Sequence, residues 1–412
     1  MQIKVPILII LIAFLTFGFC KTTSQNTTES KIIQVDIENC KVSIDLKLSD
    51  LIDSCWLVPL ETTNESILED FIRYIYITND YIIVDNNNGI YVFAEDGKFI
   101  DKINTGRGPD ELSISHSFYY YEKEDLIFIN NRLINKDRIL CYDVKSQTFL
   151  PPIKKCFTSE WNDFMIYNDS LIMGSLYDLD AGTNPYALFF QDFNGNFISG
   201  IKSKRKFITK RDQEEFLQRM LFYYGDQKIH VKYTFEDTLF TLKGSQISPY
   251  LIPQYNSSRI DPPQMDLNLG DKRSYFERFE NPGFLIFRNS TFEGLVPFKP
   301  GAQRADYKTV YFFLNKSNGK YGIINFYIDD LIGKIQSSEN ETMTFPSSLP
   351  NDKLYVIYYP HELLQNTPND LVNKGYSDIV YSQLSEIKNN IRETDNPILL
   401  IGKPKKRLLI PK

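Results

Sequence analysis

From residue 72 onward, short apolar runs and polar turns alternate along the chain on a spacing that repeats. Ile72–Ile103, Phe118–Leu150 and Asp163–Ile201 each read as an apolar strand, an Asp/Asn turn, a second apolar strand and an outer hairpin. Aligning the turn acids places Asp80, Asp125 and Asp169 at spacings of 45 and 44 residues. A fourth unit begins near Phe222 after a longer gap, a fifth spans about Gly283–Ile328 and a sixth about Ile332–Lys403. Within each early unit, runs such as Tyr81–Asp85 and Leu126–Asn130 are apolar at successive positions, as expected of a strand covered on both faces. The hairpins VFAEDGKFI, FFQDFNGNFI and FFLNKSNGKYGII set Asp-Gly or Asn-Gly between aromatic strands, and Gly97, Gly195 and Gly319 supply the positive φ that tight turns require. Four antiparallel strands recurring about every 45 residues are the mark of a β-propeller blade. The pattern therefore predicts an all-β fold, a six-bladed β-propeller with short helical insertions, over residues 51–412.

Two polar stretches interrupt the repeats. Ser203–Met220 carries Phe216, Leu217 and Met220 at helical spacing, and Asn256–Phe279 reads as a loop with one helical turn. A further helical insertion is expected within Asn369–Ile391, before the last strand NPILLIGK. A propeller must hide the edges where its ring closes. The strand SCWLVPLE at 54–61 precedes the first repeat, so it is expected to complete the last blade beside Pro397–Lys403.

The N-terminus changes the picture from fold to address. Lys4 is followed by VPILIILIAFLTFGFC, an apolar run shorter than the roughly 20 residues a membrane span needs, so residues 1–19 read as a signal peptide. Cys20 ends that run in the manner of a bacterial lipobox, although Phe19 stands where a small residue is usual. The polar stretch KTTSQNTTESK after it suits a flexible tether, which makes residues 20–50 a lipidated tether and N-terminal segment. The remaining cysteines, Cys40, Cys55, Cys141 and Cys156, form two pairs each separated by 15 positions. In an exported compartment that arrangement suits either two disulfides or four buried thiols, and the spacing leaves both open. A formal charge of -6 without a basic block argues against nucleic acid as a partner.

The segments WLVPLETTNES, VFAEDGKFIDKINTGRGPDEL, EDTLFTLKGSQISPYLI and ETDNPILLIGKPK resemble, in that order, the six-bladed β-propeller lipoproteins of Bacteroidetes. GRGPDEL and the Asp-Thr-Leu-Phe followed by Pro-Tyr are the more specific parts, and a looser likeness to NHL-type propellers lies in the Gly-rich segment. The resemblance implies an exported, lipid-anchored binding or accessory protein in the periplasm or at the outer membrane; the repeat pattern and the absence of a catalytic set add the expectation of an envelope protein, glycan or peptide bound at one propeller face.

Candidate chemistry is sparse. NTGRGPDEL at 104–112 lies where the chain crosses from one blade to the next and presents Arg107, Asp110 and Glu111. Arg107 can lock two blades together or offer its donor fork to an anionic or sugar ligand. Asp110 and Glu111 read as partners or turn caps. The three His, His116, His230 and His361, fall in different repeats without a nucleophile motif, and packed structural roles are expected. The aromatics Phe118–Tyr121 suit either a blade core or, if exposed, stacking on sugars. No catalytic set is legible, so a binding or scaffold role without a cofactor is the expectation. The alternative is a calcium-assisted hydrolase or lyase in the axial channel, for which DNNNG at 85–89 is a candidate oxygen source.

Overall fold

The computed structural model describes residues 32–406 apart from 38, 69–71, 107–110, 114–115, 132–135, 159–160, 177–185, 203–219, 226–227, 234–237, 255–277, 281–282, 300–301, 338–342, 350 and 366–375. The signal segment, Cys20, Arg107, Asp110 and the expected helix at Ser203–Met220 lie outside the described residues apart from Met220, and so does nearly all of the loop at Asn256–Phe279.

The chain enters through β1 (Ile33–Asp36), β2 (Ser43–Lys47), a short helix α1 (Leu48–Leu51) and β3 (Ile52–Pro59). Blade 1 then runs through β4 (Ile72–Ile77), β5 (Tyr81–Asn86), β6 (Gly89–Ala94) and β7 (Phe99–Asn104), and blade 2 through β8 (His116–Tyr121), β9 (Leu126–Asn131), β10 (Arg138–Asp143) and β11 (Thr148–Lys154). Blade 3 comprises β12 (Trp161–Tyr167), β13 (Leu171–Leu176), β14 (Tyr186–Gln191) and β15 (Phe197–Lys202). Blade 4 comprises β16 (Met220–Gly225), β17 (Lys228–Tyr233), β18 (Leu239–Lys243) and β19 (Gln246–Gln254). Blade 5 is built from β20 (Arg278–Glu280), β21 (Phe284–Lys299), β22 (Ala302–Asn315) and β23 (Tyr321–Asp329), with β24 (Lys334–Ser337) added on β23. Blade 6 takes β25 (Ser347–Ser348) and β26 (Leu354–Tyr358); the helices α2 (Pro360–Gln365) and α3 (Asp378–Asn390) intervene before β27 (Ile398–Pro404). The six sheets form a six-bladed β-propeller. The helical insertion expected within Asn369–Ile391 is α3.

Ring closure is as the sequence predicts. β3 is the outermost strand of blade 6, antiparallel to β27 from Ile398 opposite Pro59 to Gly402 opposite Cys55. The start of the propeller moves, however. Residues up to 50 were expected to be tether, yet β1 pairs in parallel with β19 of blade 4 and β2 in parallel with β23 of blade 5. The physical reason is that a blade's outer strand leaves a row of unpaired backbone groups, and an extended segment running along the rim satisfies them. The stretch 33–59 therefore laces the edges of three successive blades.

Each blade is apolar on both faces because each faces a neighbour on both sides. The buried side chains fall into clusters that sit between successive blades. Ile83, Ile90 and Val92 of blade 1 meet Tyr120, Ile127 and Ile129 of blade 2. Val58 and Leu399 of blade 6 meet Ile75, Val84 and Phe93 of blade 1 across the closure. The hairpin glycines take the expected geometry, with φ of +87° at Gly97, +83° at Gly195 and +71° at Gly319. At Gly97 a second constraint applies: a Cβ there would stand 2.1 Å from the Pro59 carbonyl oxygen, so the hairpin of blade 1 closes directly onto the end of β3.

A carboxylate pair fastens the rim segment. Asp330 accepts from the backbone N–H and the hydroxyl of Ser49 in α1, at 3.0 and 2.5 Å, and from the Tyr376 hydroxyl at 3.1 Å. Its neighbour Asp329 accepts from the Leu331 and Ile332 amides and from the Tyr358 hydroxyl at 2.7 Å. Burial pushes the Asp329 carboxyl up to about 6, against the pull of those hydrogen bonds. Its pKa in the fold thus lies above its unfolded value, so the folded state binds the proton more tightly. The stability contributed by this group is full below about pH 4 and is lost as pH rises to about 6. Scaling at about 1.4 kcal/mol per pH unit, the loss is on the order of 3 kcal/mol. In Asp329→Asn the oxygen stays on the amides and the NH2 group turns to Tyr358. Urea unfolding of this variant should lack that loss of stability between about pH 4 and 7; an unchanged pH profile would locate the titration elsewhere.

Candidate functional site

The inner strands β4, β8 and β12 run in the same direction around the axis, so their last residues gather at one face. Tyr119 and Tyr121 alternate with Phe118 and Tyr120 along β8, as strand geometry dictates. Phe118 and Tyr120 enter the interface with blade 1, while Tyr119 and Tyr121 turn to the side of blade 3. Tyr76, at the end of β4, meets Tyr120 at 5.4 Å between ring centroids and Tyr119 edge-on at 6.4 Å. The turns that follow are set by Asp and Asn in left-handed backbone: Asp125 at φ 55°, Asn168 at 51° and Asp169 at 55°.

These elements surround a cavity of about 630 Å³. Blade 1 contributes Tyr76, and blade 2 contributes Tyr119, Tyr121, Glu122 and Lys123. Blade 3 contributes Ile166 to Asp169, blade 4 Lys228, Ile229 and Leu242, and blade 6 Asn351 in the turn after β25. A cavity walled by five blades lies on the axis, at the mouth of the central channel. Lys123 Nζ bridges to Asp169 Oδ2 at 2.9 Å across blades 2 and 3, with both side chains more than half exposed, at 61% and 57%. Each shifts the other: the hydrogen bond raises the Lys123 pKa and lowers that of Asp169. Burial pushes the Tyr121 hydroxyl up, and the charge of Asp169 adds to it. Tyr167 accepts the Gly244 N–H at 2.7 Å.

The opposite face carries the sequence candidate. The GRGPDEL loop is closed by a parallel bridge between Thr105 and Leu112, with Gly106 N–H donating to the Leu112 carbonyl and Leu112 N–H to that of Asn104, both at 2.9 Å. Glu111 folds back so that a Cβ on Gly106 would come within 2.0 Å of its carboxylate. The φ of Gly106 lies outside the left-handed region, and the carboxylate beside it is the flexible end of a side chain that can move aside. Blade 2 holds the loop through Asn131, whose Nδ2 donates to the Glu111 carbonyl at 3.3 Å and whose Oδ1 takes the Ser113 N–H at 3.0 Å. Glu111 thus serves the crossing between blades and stands at the far end of β8 from the cavity.

Beside this crossing, His116 is packed, as the sequence suggests, and is also paired. Its Nε2 meets Asp85 Oδ1 at 3.0 Å and its Nδ1 meets the Ser113 carbonyl at 2.7 Å. A carboxylate and a carbonyl only accept, so a ring donating at both nitrogens satisfies the pair. Arg73 Nη2 reaches the same Asp85 oxygen at 3.1 Å, and the Asp85 and His116 side chains are fully buried. The triad joins blade 1 to blade 2. It also commits the first acid of DNNNG, while Asn86 Oδ1 takes the Asn88 N–H. Among the described residues no group of three His, Cys, Asp or Glu is placed to hold a metal ion. His230 is buried against Tyr250, and His361 stacks on Tyr359.

Cys40, Cys55, Cys141 and Cys156 are free thiols, the alternative to disulfides that their spacing left open. Cys141 and Cys156 share the apolar cluster between blades 2 and 3, and burial pushes both up to about 12; Cys55 rises to about 11 for the same first reason. No described helix is long and apolar enough to cross a membrane.

A family model for a domain of unknown function, DUF4934, matches residues 31–403. The chain belongs to the DUF4934 family. Among solved structures, this DUF4934 chain is similar to a protein of Bacteroides fragilis NCTC 9343 described as exported, with 15% identity, 91% of this chain and 99% of that one covered, and a TM-score of 0.60. A member of the DUF4221 family from Bacteroides vulgatus aligns at 12% identity over 86% of this chain and 98% of its own, with a TM-score of 0.45. No curated protein matches the DUF4934 chain. The first likeness supports the propeller fold and carries no activity.

The channel mouth was only partly visible from sequence. Tyr119, Tyr121 and Asp169 stood out as an aromatic run and a turn acid, whereas Tyr76, Lys228 and Asn351 carry no local signal because five separate repeats bring them together. Removing the charge at the two faces should have unequal effects. Asp85→Ala leaves the buried His116 and the half-buried Arg73 without their carboxylate and is expected to destabilise by about 3–5 kcal/mol in urea unfolding. Lys123→Ala should leave the unfolding midpoint nearly unchanged, since exposed pairs contribute little.

Proposed function

We propose that this DUF4934 chain is an exported, lipid-anchored β-propeller of the cell envelope that binds a ligand at the mouth of its channel, as a binding or scaffold protein rather than an enzyme. The observation that carries the reading is the five-blade cavity, whose wall mixes tyrosine rings, amides and both signs of charge. A volume of about 630 Å³ lies within the range of about 300–1,000 Å³ usual for ligand sites. Its polar groups are tied to one another, Lys123 to Asp169 and Tyr167 to the Gly244 amide, and do not set a base against a nucleophile. Export and the anchor at Cys20 rest on the apolar N-terminal run and the cysteine that ends it. The polar residues that follow supply reach between membrane and propeller. Envelope glycans, peptides and proteins are the ligand classes such an address offers.

Two measurements test it. Cys20→Ala in cells should lose incorporated palmitate and move from the membrane to the soluble envelope fraction. The mature protein, immobilised, should retain an envelope component that Tyr119→Ala and Asp169→Ala fail to retain. Equal retention by wild type and both variants would remove the channel mouth as the site.

A further inference from the structure

Resting on that reading, we infer that the mouth takes a neutral saccharide. The charges at the wall balance: Lys123 and Lys228 stand against Glu122 and Asp169. Lys123 and Asp169 also neutralise each other directly at 2.9 Å. An anionic ligand would meet as much repulsion as attraction there, and so would a cation. What remains for recognition is uncharged. Tyr76, Tyr119, Tyr121 and Tyr167 come from three successive blades and give the wall flat apolar rings with hydroxyl edges. Such rings suit the C–H faces of a pyranose, which present apolar patches bordered by hydroxyls.

The hydrogen-bonding groups fit the same class. Tyr167 uses its oxygen to accept the Gly244 N–H, which leaves its own O–H to donate. Asn351 gives its Nδ2 to the Ile77 carbonyl at 2.7 Å, and its Oδ1 is buried with no hydrogen-bond partner among the described residues. An unsatisfied acceptor at a cavity wall is unfavourable until a donor reaches it. Sugar hydroxyls both donate and accept, so a single saccharide offers a partner of either kind to these two groups.

The test is an array of neutral oligosaccharides, uronate-containing oligosaccharides and short peptides probed with the mature protein, followed by calorimetry on the strongest neutral hit. Retention confined to neutral glycans is expected. Tyr119→Ala should weaken the hit at least tenfold. Raising the salt concentration tenfold should change it by no more than about twofold, because screening weakens the binding of charged ligands and this one carries no charge. Loss of binding at the higher salt, or retention of uronates or peptides in place of neutral glycans, overturns the saccharide assignment while leaving the channel mouth as a binding site. Absence of any neutral hit overturns it as well. Neutral glycan binding that survives Tyr119→Ala unchanged would place the sugar elsewhere and count against the mouth itself.

Discussion

The ladder between β3 and β27 is the contact on which the rest of the structure depends. A radial sheet of four strands exposes two apolar faces, and each face is buried only if a neighbour stands on either side. An open arc of blades would leave two such faces in water. The pairing of Trp56 with Ile401 and Leu57 with Leu400 joins the first strands to the last and turns the arc into a ring. The apolar cluster formed there, Val58 and Leu399 against Ile75 and Phe93, is of the same kind as those between blades joined in sequence. The closure thus gives the first and last blades the same environment as the others.

The rim segment extends this logic outward. β1 and β2 lie in parallel on blades 4 and 5 before β3 enters blade 6. Their position follows from the closing strand: once β3 must reach the outer edge of blade 6, the residues before it pass the outer edges of the preceding blades. The buried carboxylates then have a structural rationale. Asp330 holds Ser49 between β2 and β3, where the rim segment passes from blade 5 to blade 6, and Asp329 binds Tyr358 at the end of β26. The junction between two blades, a rim strand and a helical insertion is polar because several backbone ends meet there and need partners.

The regular part of this architecture was legible because it is local. Apolar runs on both faces, Asn-Gly and Asp-Gly turns and the spacing of Asp80, Asp125 and Asp169 each report a feature that neighbouring residues determine. The closure was legible as well, from topology, since a ring needs one strand out of order. The rim strands were not. Ile33–Asp36 and Ser43–Lys47 are short and bury only alternate residues, so they look like linker until a sheet edge stands beside them. The motif NTGRGPDEL was legible as a crossing and less so in detail, because the hold on the Glu111 carbonyl comes from Asn131 in the next blade. The mouth was the least legible of all. Its wall draws single residues from five repeats, and none of those residues breaks the pattern of its own strand.

The two ends of the inner strands are built to opposite purposes. At the start of β8, the buried His116 and Asp85 are paired with each other and with Arg73, and Asn131 secures the incoming loop, so that end is committed to holding blades together. At the other end of the same strand Tyr119 and Tyr121 line the cavity, and the charges are paired across an exposed surface where pairing adds little to stability. A propeller can dispense with interactions at only one end without loosening its ring, because the blades need to be fixed relative to one another only once along their height. Locking one face relieves the other of that task, and the relieved face is where tyrosines and amides stand around a cavity. The constraint that closes the ring therefore also determines where a ligand can be accommodated.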